Sequence, residues 1–471
     1  MSTVNLPDDT IAAISTPAGV GGIGIVRISG IDAIRIAERV FHSPKGKKIA
    51  VMPSFTIAYG FITDPSTGER IDEALFSVMR APKSYTAEDV VEINCHGGLH
   101  TVSKTLELVI NEGARIAAPG EFTMRAFLNG RLDLAQSEAV LDIINAATEG
   151  SGRLALEQLS GRLSSNILAA RDALISVCAE VEAQIDFPED DIPAADKSVL
   201  LDKIDSIATR LKSLSGSYAR GRYFREGLLT AIAGKPNVGK SSLLNALLEK
   251  DRAIVTPMPG TTRDTIEEVI NINGLPVRIV DTAGIRRGRG PAEVEGINRS
   301  LAAVEAAALV LAVFDGSTAL TSEDYEIAAA TAEKDVIIVI NKADKVMAYP
   351  NDLIIDKYKH ITNMERQAVN VSALTGAGLD KLKETLYSRV MQNNSPEAGE
   401  GVIVTNLRHK CALDDAVAAL INAKKSLHAE NPHEITALEL REALSALGQI
   451  TGVVTTADIL DRIFSAFCIG K

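Results

Sequence analysis

"GKPNVGKS", Gly234 to Ser241, fits the pattern G-x-x-x-x-G-K-S, and its setting decides the fold around it. The apolar run "GLLTAIAG" leads into it and the helical "SLLNALLEK" leads out. Strand, glycine loop and helix in that order wrap backbone amides around a phosphate at a helix N-terminus. Lys240 then reaches the β and γ phosphates of a nucleotide, and the Ser241 hydroxyl holds Mg²⁺. Asn237, Val238, Gly239 and Ser242 belong to the same loop. A glycine-rich turn without a ligand is the bland alternative, and the flanking strand and helix disfavour it.

Working outward, "VRIVDTAG", "ALVLAVFDG", "DVIIVINKAD" and "QAVNVSA" follow, with helical text between them. Short apolar runs that end in glycine or polar loops imply a mostly parallel sheet covered on both faces. Each run ends in a nucleotide motif. "NKAD", Asn341 to Asp344 with Lys342, reads the base. The Asp344 carboxylate accepts from two guanine N–H donors that adenine does not present in that arrangement. Asn341 ties this loop to the phosphate loop, and "SAL" (Ser372, Ala373) offers backbone N–H to the guanine carbonyl. "DTAG" supplies Asp281 toward Mg²⁺ through a water, with Thr282, Ala283 and the γ-phosphate-sensing Gly284 behind it. "TPMPGTTRD" supplies Thr262 to the same metal. Together these motifs specify a GTPase. Ras-like proteins carry a water-positioning glutamine after DTAG. Here Ile285 stands there and cannot do that work. Glu293 and Glu295 are nearby candidates, and both also suit the start of a helix, where acids meet the positive dipole end.

At 471 residues the chain exceeds one core, and two to four domains are expected. Residues 1–130 mix β-rich runs with turns and helices, as in a small α+β domain. Residues 131–225 read as helical, 226–388 as the α/β GTPase domain, and 389–471 as helical again. The expected architecture is therefore multidomain, α/β and α, with a Ras-like P-loop domain inserted into a helical one. No window offers about 18 uncharged apolar residues, so no membrane span is expected. Cys95, Cys178, Cys411 and Cys468 form no CxxC pair, which points to a reduced, cytoplasmic protein. The net charge of −12 disfavours whole-surface binding of nucleic acid. RNA contact would need a local patch such as Arg220, Arg222 and Arg225, or Arg286, Arg287 and Arg289.

Beyond the GTPase motifs, "TPAGVGGIGIVRISG", "SYTAEDVVEINCHGG", "PGEFTMRAFLNGRLDLAQSEAV", "QIDFPEDDI" and the terminal "FCIGK" occur in order. With them the whole chain resembles the tRNA modification GTPase family MnmE, also called TrmE. That resemblance implies a K⁺-dependent GTPase that modifies C5 of the wobble uridine of certain tRNAs. It implies a homodimer, a flavoprotein partner, MnmG (GidA), and a 5-formyl- or methylene-tetrahydrofolate one-carbon donor. By the same resemblance Asn237, Thr256, Met258 and Thr261 would ligate K⁺, and Glu293 would orient the attacking water. The folate positions would be Arg27, Glu92, Arg131 and Lys471. Arg131 replaces the family's frequent lysine, which turns a point charge into a planar fork.

"FCIGK" has other readings. Cys468 is fourth from the end, but glycine and lysine fill slots that a prenylation signal gives to other residues. A plain helix end stopped by glycine also fits. The resemblance makes Cys468 a candidate nucleophile or acid/base in the modification. A ribosome-assembly or regulatory GTPase would share the nucleotide motifs, but the segment after residue 395 shows no basic RNA module.

Overall fold

A computed structural model describes residues 9–186, 197–251, 267–281, 302–362, 366–392 and 401–471. The chain divides into two compact units. One comprises Met1–Leu141, Leu159–Arg171 and Ser445–Lys471, and the other Asp142–Gln158 and Asp172–Leu444. The last stretch of chain thus groups with the N-terminal domain, across more than 300 residues of sequence.

The first unit is built on a seven-stranded sheet in the order β3-β4-β5-β6-β2-β1-β7. The strands are β1 Ile11–Ile14, β2 Gly21–Ser29, β3 Phe41–His42, β4 Thr56–Thr63, β5 Arg70–Met79, β6 Val90–Gly97 and β7 Arg115–Ile116. Neighbours pair antiparallel except β1 with β7. Alternate residues of β2, β5 and β6 (Val26, Ile28, Phe76, Val78, Val91, Ile93) are fully buried. They pack with Ile36, Val40, Leu108 and Val109 from helices Ala33–Val40 and Leu99–Asn111 in one core. The opposite sheet face carries polar partners, as expected of an antiparallel sheet with one covered face. On it Arg27 of β2 stands directly across from Glu92 of β6. Gly21, Gly22 and Gly24 of "GVGGIG" open β2 at a register shift between Gly21 and Gly24.

The second unit carries a six-stranded sheet in the order β13-β12-β11-β8-β10-β9. The strands are β8 Leu228–Ala233, β9 Glu267–Ile272, β10 Leu275–Asp281, β11 Leu309–Asp315, β12 Val336–Asn341 and β13 Gln367–Asn370. All pair in parallel except β9, which joins β10 through a hairpin. Every residue of β11 and β12 is buried. Side chains from the two sheet faces enter separate cores, with Ile337 and Val339 in one and Ile338 and Ile340 in the other. At ~1.5–3 kcal/mol for each buried aliphatic side chain, "VIIVI" is a strong anchor for the loop that follows it.

The hairpin tip, Asn273-Gly274, takes positive φ at both residues (51° and 87°). Its Gly274 carbonyl accepts from the Thr148 hydroxyl at 2.6 Å. A side-chain carbon on Gly150 would lie 2.3 Å from that same oxygen, so glycine is required there.

Helix Lys197–Gly216 turns Leu200, Ile204, Ile207 and Leu211 onto one buried face. It packs along helix Leu407–His428, whose Ala412, Leu413, Ala416, Leu420 and Ala423 are buried. The Ser215 hydroxyl donates to Asp414, and Lys424 pairs with Asp205. These two helices flank the six-stranded sheet in sequence yet pack on each other in space. The domain built on this sheet is therefore an insertion within helical chain.

Candidate functional site

The phosphate loop leaves β8 at Gly234 and ends at Lys240, the first residue of helix Lys240–Asp251. Asn237 and Gly239 adopt positive φ, 66° and 96°, which curls the loop. Val238 is 1% exposed and pins the loop to the core below. The Lys240 ammonium donates to the carbonyls of Gly234 at 2.6 Å and Lys235 at 2.9 Å. Positive charge therefore sits in the mouth of the loop, at a helix N-terminus, where a phosphate is favoured on both counts. Ser241 and Ser242 are exposed in the first helical turn beside it.

The base loop is bonded to this loop. Asn341, 2% exposed, ends β12. Its amide donates to the Val238 carbonyl at 2.8 Å and accepts from the Ala373 N–H at 3.1 Å. Lys342 donates to the Asn237 carbonyl at 3.0 Å and to Asp315 at 2.6 Å. Burial raises the Asp315 pKa, but Lys342 and Ser317 outweigh it and hold the group below the ordinary carboxylate value. The Ser372 hydroxyl, fully buried, donates to Asp344 at 2.5 Å and keeps this exposed carboxylate ionised below its usual range. The arrangement offers an oriented anion to N–H donors and a cation to phosphate, which fits a guanine nucleotide.

Asp281 ends β10, in parallel register with Ile232 of β8. Its backbone is thus at the same sheet edge as the phosphate loop, while its side chain lies outside the described residues. Thr256, Met258, Thr261, Thr262, Thr282, Ala283, Gly284, Ile285, Glu293 and Glu295 also lie outside them, as do Arg286, Arg287 and Arg289. Of the other basic stretch, Arg222 stacks over the Tyr223 ring at 4.6 Å and Arg225 pairs with Asp142 at 2.8 Å.

A second constellation gathers in the N-terminal unit. Arg27 binds Glu92 through Nε at 2.9 Å and Nη2 at 2.8 Å, the pair being 14% and 23% exposed. The Arg27 guanidinium lies 5.5 Å from the ring centres of both Tyr85 and Phe122. Arg131 stacks on Tyr85 at 5.0 Å and donates to its carbonyl at 3.0 Å. The Tyr85 hydroxyl is within 2.8 Å of the Thr123 hydroxyl, and burial pushes the Tyr85 pKa up. Lys471 reaches the same place. Burial, then the nearby Arg27, lower its pKa, against the opposing pull of Glu92. Arg27, with its partner Glu92, and Arg131 thus meet at the Tyr85 ring, and Lys471 follows Gly470, whose carbonyl Arg27 holds at 3.2 Å. Sequence reading does not single out Tyr85 and Phe122, although both lie within the motifs that carry the resemblance. Cationic groups, one carboxylate and flat rings suit an anionic ligand with a planar hydrogen-bonding ring.

Cys468 is exposed at the end of this unit. Cys95 is buried on one face of β6, and His96, exposed on the other, pairs with Asp72 at 2.7 Å.

Family models match in two stretches: the GTP-binding protein TrmE N-terminus over residues 10–131, and the MnmE helical domain over residues 134–468. The tRNA modification GTPase MnmE of Carboxydothermus hydrogenoformans is 48% identical over 464 residues, covering 98% of this chain and 100% of that protein. Its counterpart from Desulforamulus reducens is 44% identical over the same shares. Among solved structures, a variant of Aquifex aeolicus Era bound to GDP.AlF4- is 32% identical over 41% of this chain and 66% of that one, with a TM-score of 0.27. The chain belongs to the tRNA modification GTPase MnmE family.

Proposed function

We propose that the chain hydrolyses GTP and couples that hydrolysis to modification of tRNA at C5 of the wobble uridine. The observation that carries the GTP half is the bonded junction of base loop and phosphate loop through Asn341. The tRNA half is supported by a relative named tRNA modification GTPase that matches over 98% of the chain; the C5 position follows from the resemblance alone. Lys240 neutralises phosphate charge, and the Ser241 and Thr262 hydroxyls with Asp281 take up Mg²⁺. Asp344, held by Ser372, selects guanine.

The absence of a Ras-type glutamine at Ile285 leaves charge neutralisation and water orientation to other groups. K⁺ held by Asn237, Thr256, Met258 and Thr261 supplies the first, and Glu293 orients the water. The Arg27, Glu92, Arg131 and Lys471 cluster takes 5-formyl- or methylene-tetrahydrofolate, which supplies a one-carbon unit. Glu92 reads the pterin edge, and the cations hold the glutamyl tail. Cys468 acts as nucleophile or acid/base in the same chemistry. The working assembly is a homodimer with the flavoprotein MnmG, in the cytoplasm. Among the described residues no helix is long and apolar enough to cross a membrane. Domain limits at 1–130, 131–225, 226–388 and 389–471 accompany this reading.

Turnover in K⁺ against Na⁺ at equal ionic strength tests it, with Glu293→Ala alongside. K⁺ raises hydrolysis, and Glu293→Ala removes most of it with nucleotide affinity kept. Equal rates in both salts reject the K⁺ ligands, and an unaffected Glu293→Ala removes that residue from the mechanism.

A further inference from the structure

The chain's last residues are fastened at two points, one on each side of a short turn. Upstream, Phe467 is 5% exposed and packs with Leu134, Leu460 and Phe464. The Cys468 carbonyl then accepts from the N–H of Gly120 at 3.4 Å and of Lys471 at 3.3 Å. Downstream, the Gly470 carbonyl accepts from the Ser15 hydroxyl at 3.2 Å and from Arg27 Nη1 at 3.2 Å. Gly470 is buried with φ of 99°, and a side-chain carbon there would lie 2.3 Å from the Ile14 carbonyl. Only glycine enters this crevice without moving the end of β1. Cys468 and Ile469 stay exposed between the two fastenings.

The two donors at Gly470 differ in what else they do. Arg27 is shared with Glu92, so a ligand that reads Glu92 competes for it. Ser15, the residue after β1, has its backbone N–H fixed on the Ile25 carbonyl of β2 at 2.8 Å whether or not Glu92 is engaged. Its hydroxyl is therefore the steadier of the two anchors.

We propose that Ser15 and Gly470 are positioning residues that clamp the C-terminal turn and so set where Cys468 stands, two residues from the carbonyl that Arg27 holds. The proposal rests on the reading that Cys468 takes part in the modification. Without the clamp, the thiol remains on the chain but spends most of its time away from the pocket.

Removal of Lys471 by a lysine-specific carboxypeptidase, followed by intact mass, reads the clamp directly. The rate tracks the population of released tail while release is fast relative to cleavage. Loss of one hydrogen bond in Ser15→Ala speeds trimming about fivefold. Gly470→Ala, strained at positive φ and crowded against Ile14, speeds it roughly tenfold or more. Ser15→Thr, which keeps the hydroxyl, restores the parent rate. GTP hydrolysis stays at the parent level in all three, and tRNA modification falls in step with trimming in Ser15→Ala and Gly470→Ala. Equal trimming rates in parent, Ser15→Ala and Gly470→Ala overturn the clamp. Faster trimming with undiminished modification overturns the role given to Cys468 and leaves the clamp standing.

Discussion

Asn341→Ala cuts the bolt between base recognition and phosphate binding. The amide of Asn341 makes two bonds, donating to the Val238 carbonyl in a buried contact and accepting from the Ala373 N–H in a half-buried one. Alanine removes both, leaving the Val238 carbonyl and the Ala373 N–H without these partners. A buried polar group left without its partner costs ~1–3 kcal/mol and a half-buried one about 1 kcal/mol, so the pair costs about 2–4 kcal/mol together. The cost falls on the arrangement that grips nucleotide, because Val238 belongs to the phosphate loop and Ala373 to the guanine loop. At about 1.4 kcal/mol per factor of ten, affinity drops roughly 30- to 1,000-fold. Titration of a fluorescent GDP analogue into the full chain measures it, with circular dichroism to show that the helices persist. GDP and a minimal triphosphate lacking the base should both weaken, since both loops lose their register. A variant that binds GDP within about threefold of the parent refutes the reasoning, because two such bonds are worth more than that.

Asp344→Asn replaces an acceptor for two guanine N–H groups with an amide that donates one, so GTP weakens by about a hundredfold or more. Xanthosine triphosphate, whose ring presents a carbonyl at the position of the guanine amino group, should gain, and an unchanged order of preference sinks the assignment. Lys471, its pKa lowered by burial and then by Arg27, holds more neutral amine at pH 8 than an ordinary lysine. Limiting acetic anhydride should therefore label it ahead of exposed Lys45, as read by peptide mass. Docking the ammonium carries a cost that is full below the lowered pKa and fades as pH rises through it toward ~10.4, so the tail holds better at pH 10 than at pH 7. Labelling no faster than Lys45 contradicts this.

The GTPase sheet is legible in the sequence because a buried parallel strand writes itself as an apolar run, and "VIIVI" and "LVLAVF" are buried at every position. Strand β9 escapes that reading although its signal is present: alternating "EEVINI" ending in Asn-Gly is a hairpin cue. Its polar residues hide it beside the more apolar runs. The N-terminal cluster is legible only by resemblance. Arg27 and Glu92 are 65 residues apart, and only the register of β2 on β6 makes them partners. Nothing local announces Ser15 or Tyr85 as site residues, since their roles come from a tail and a helix far along the chain. The return of residues 445–471 to the N-terminal unit is likewise legible only by the resemblance, which sets Lys471 with Arg27 and Glu92, because helical periodicity shows which face is buried and not what covers it.

The contact between Thr148, Gly150 and the Gly274 carbonyl bears on how this chain can change in length. Hairpin tips are ordinarily where inserted residues, tags and new termini are accepted most readily. Here the tip is pressed against the start of another helix with no room for one added carbon. The hairpin is therefore sealed at its present size, and any growth of the GTPase domain is diverted to its other loops.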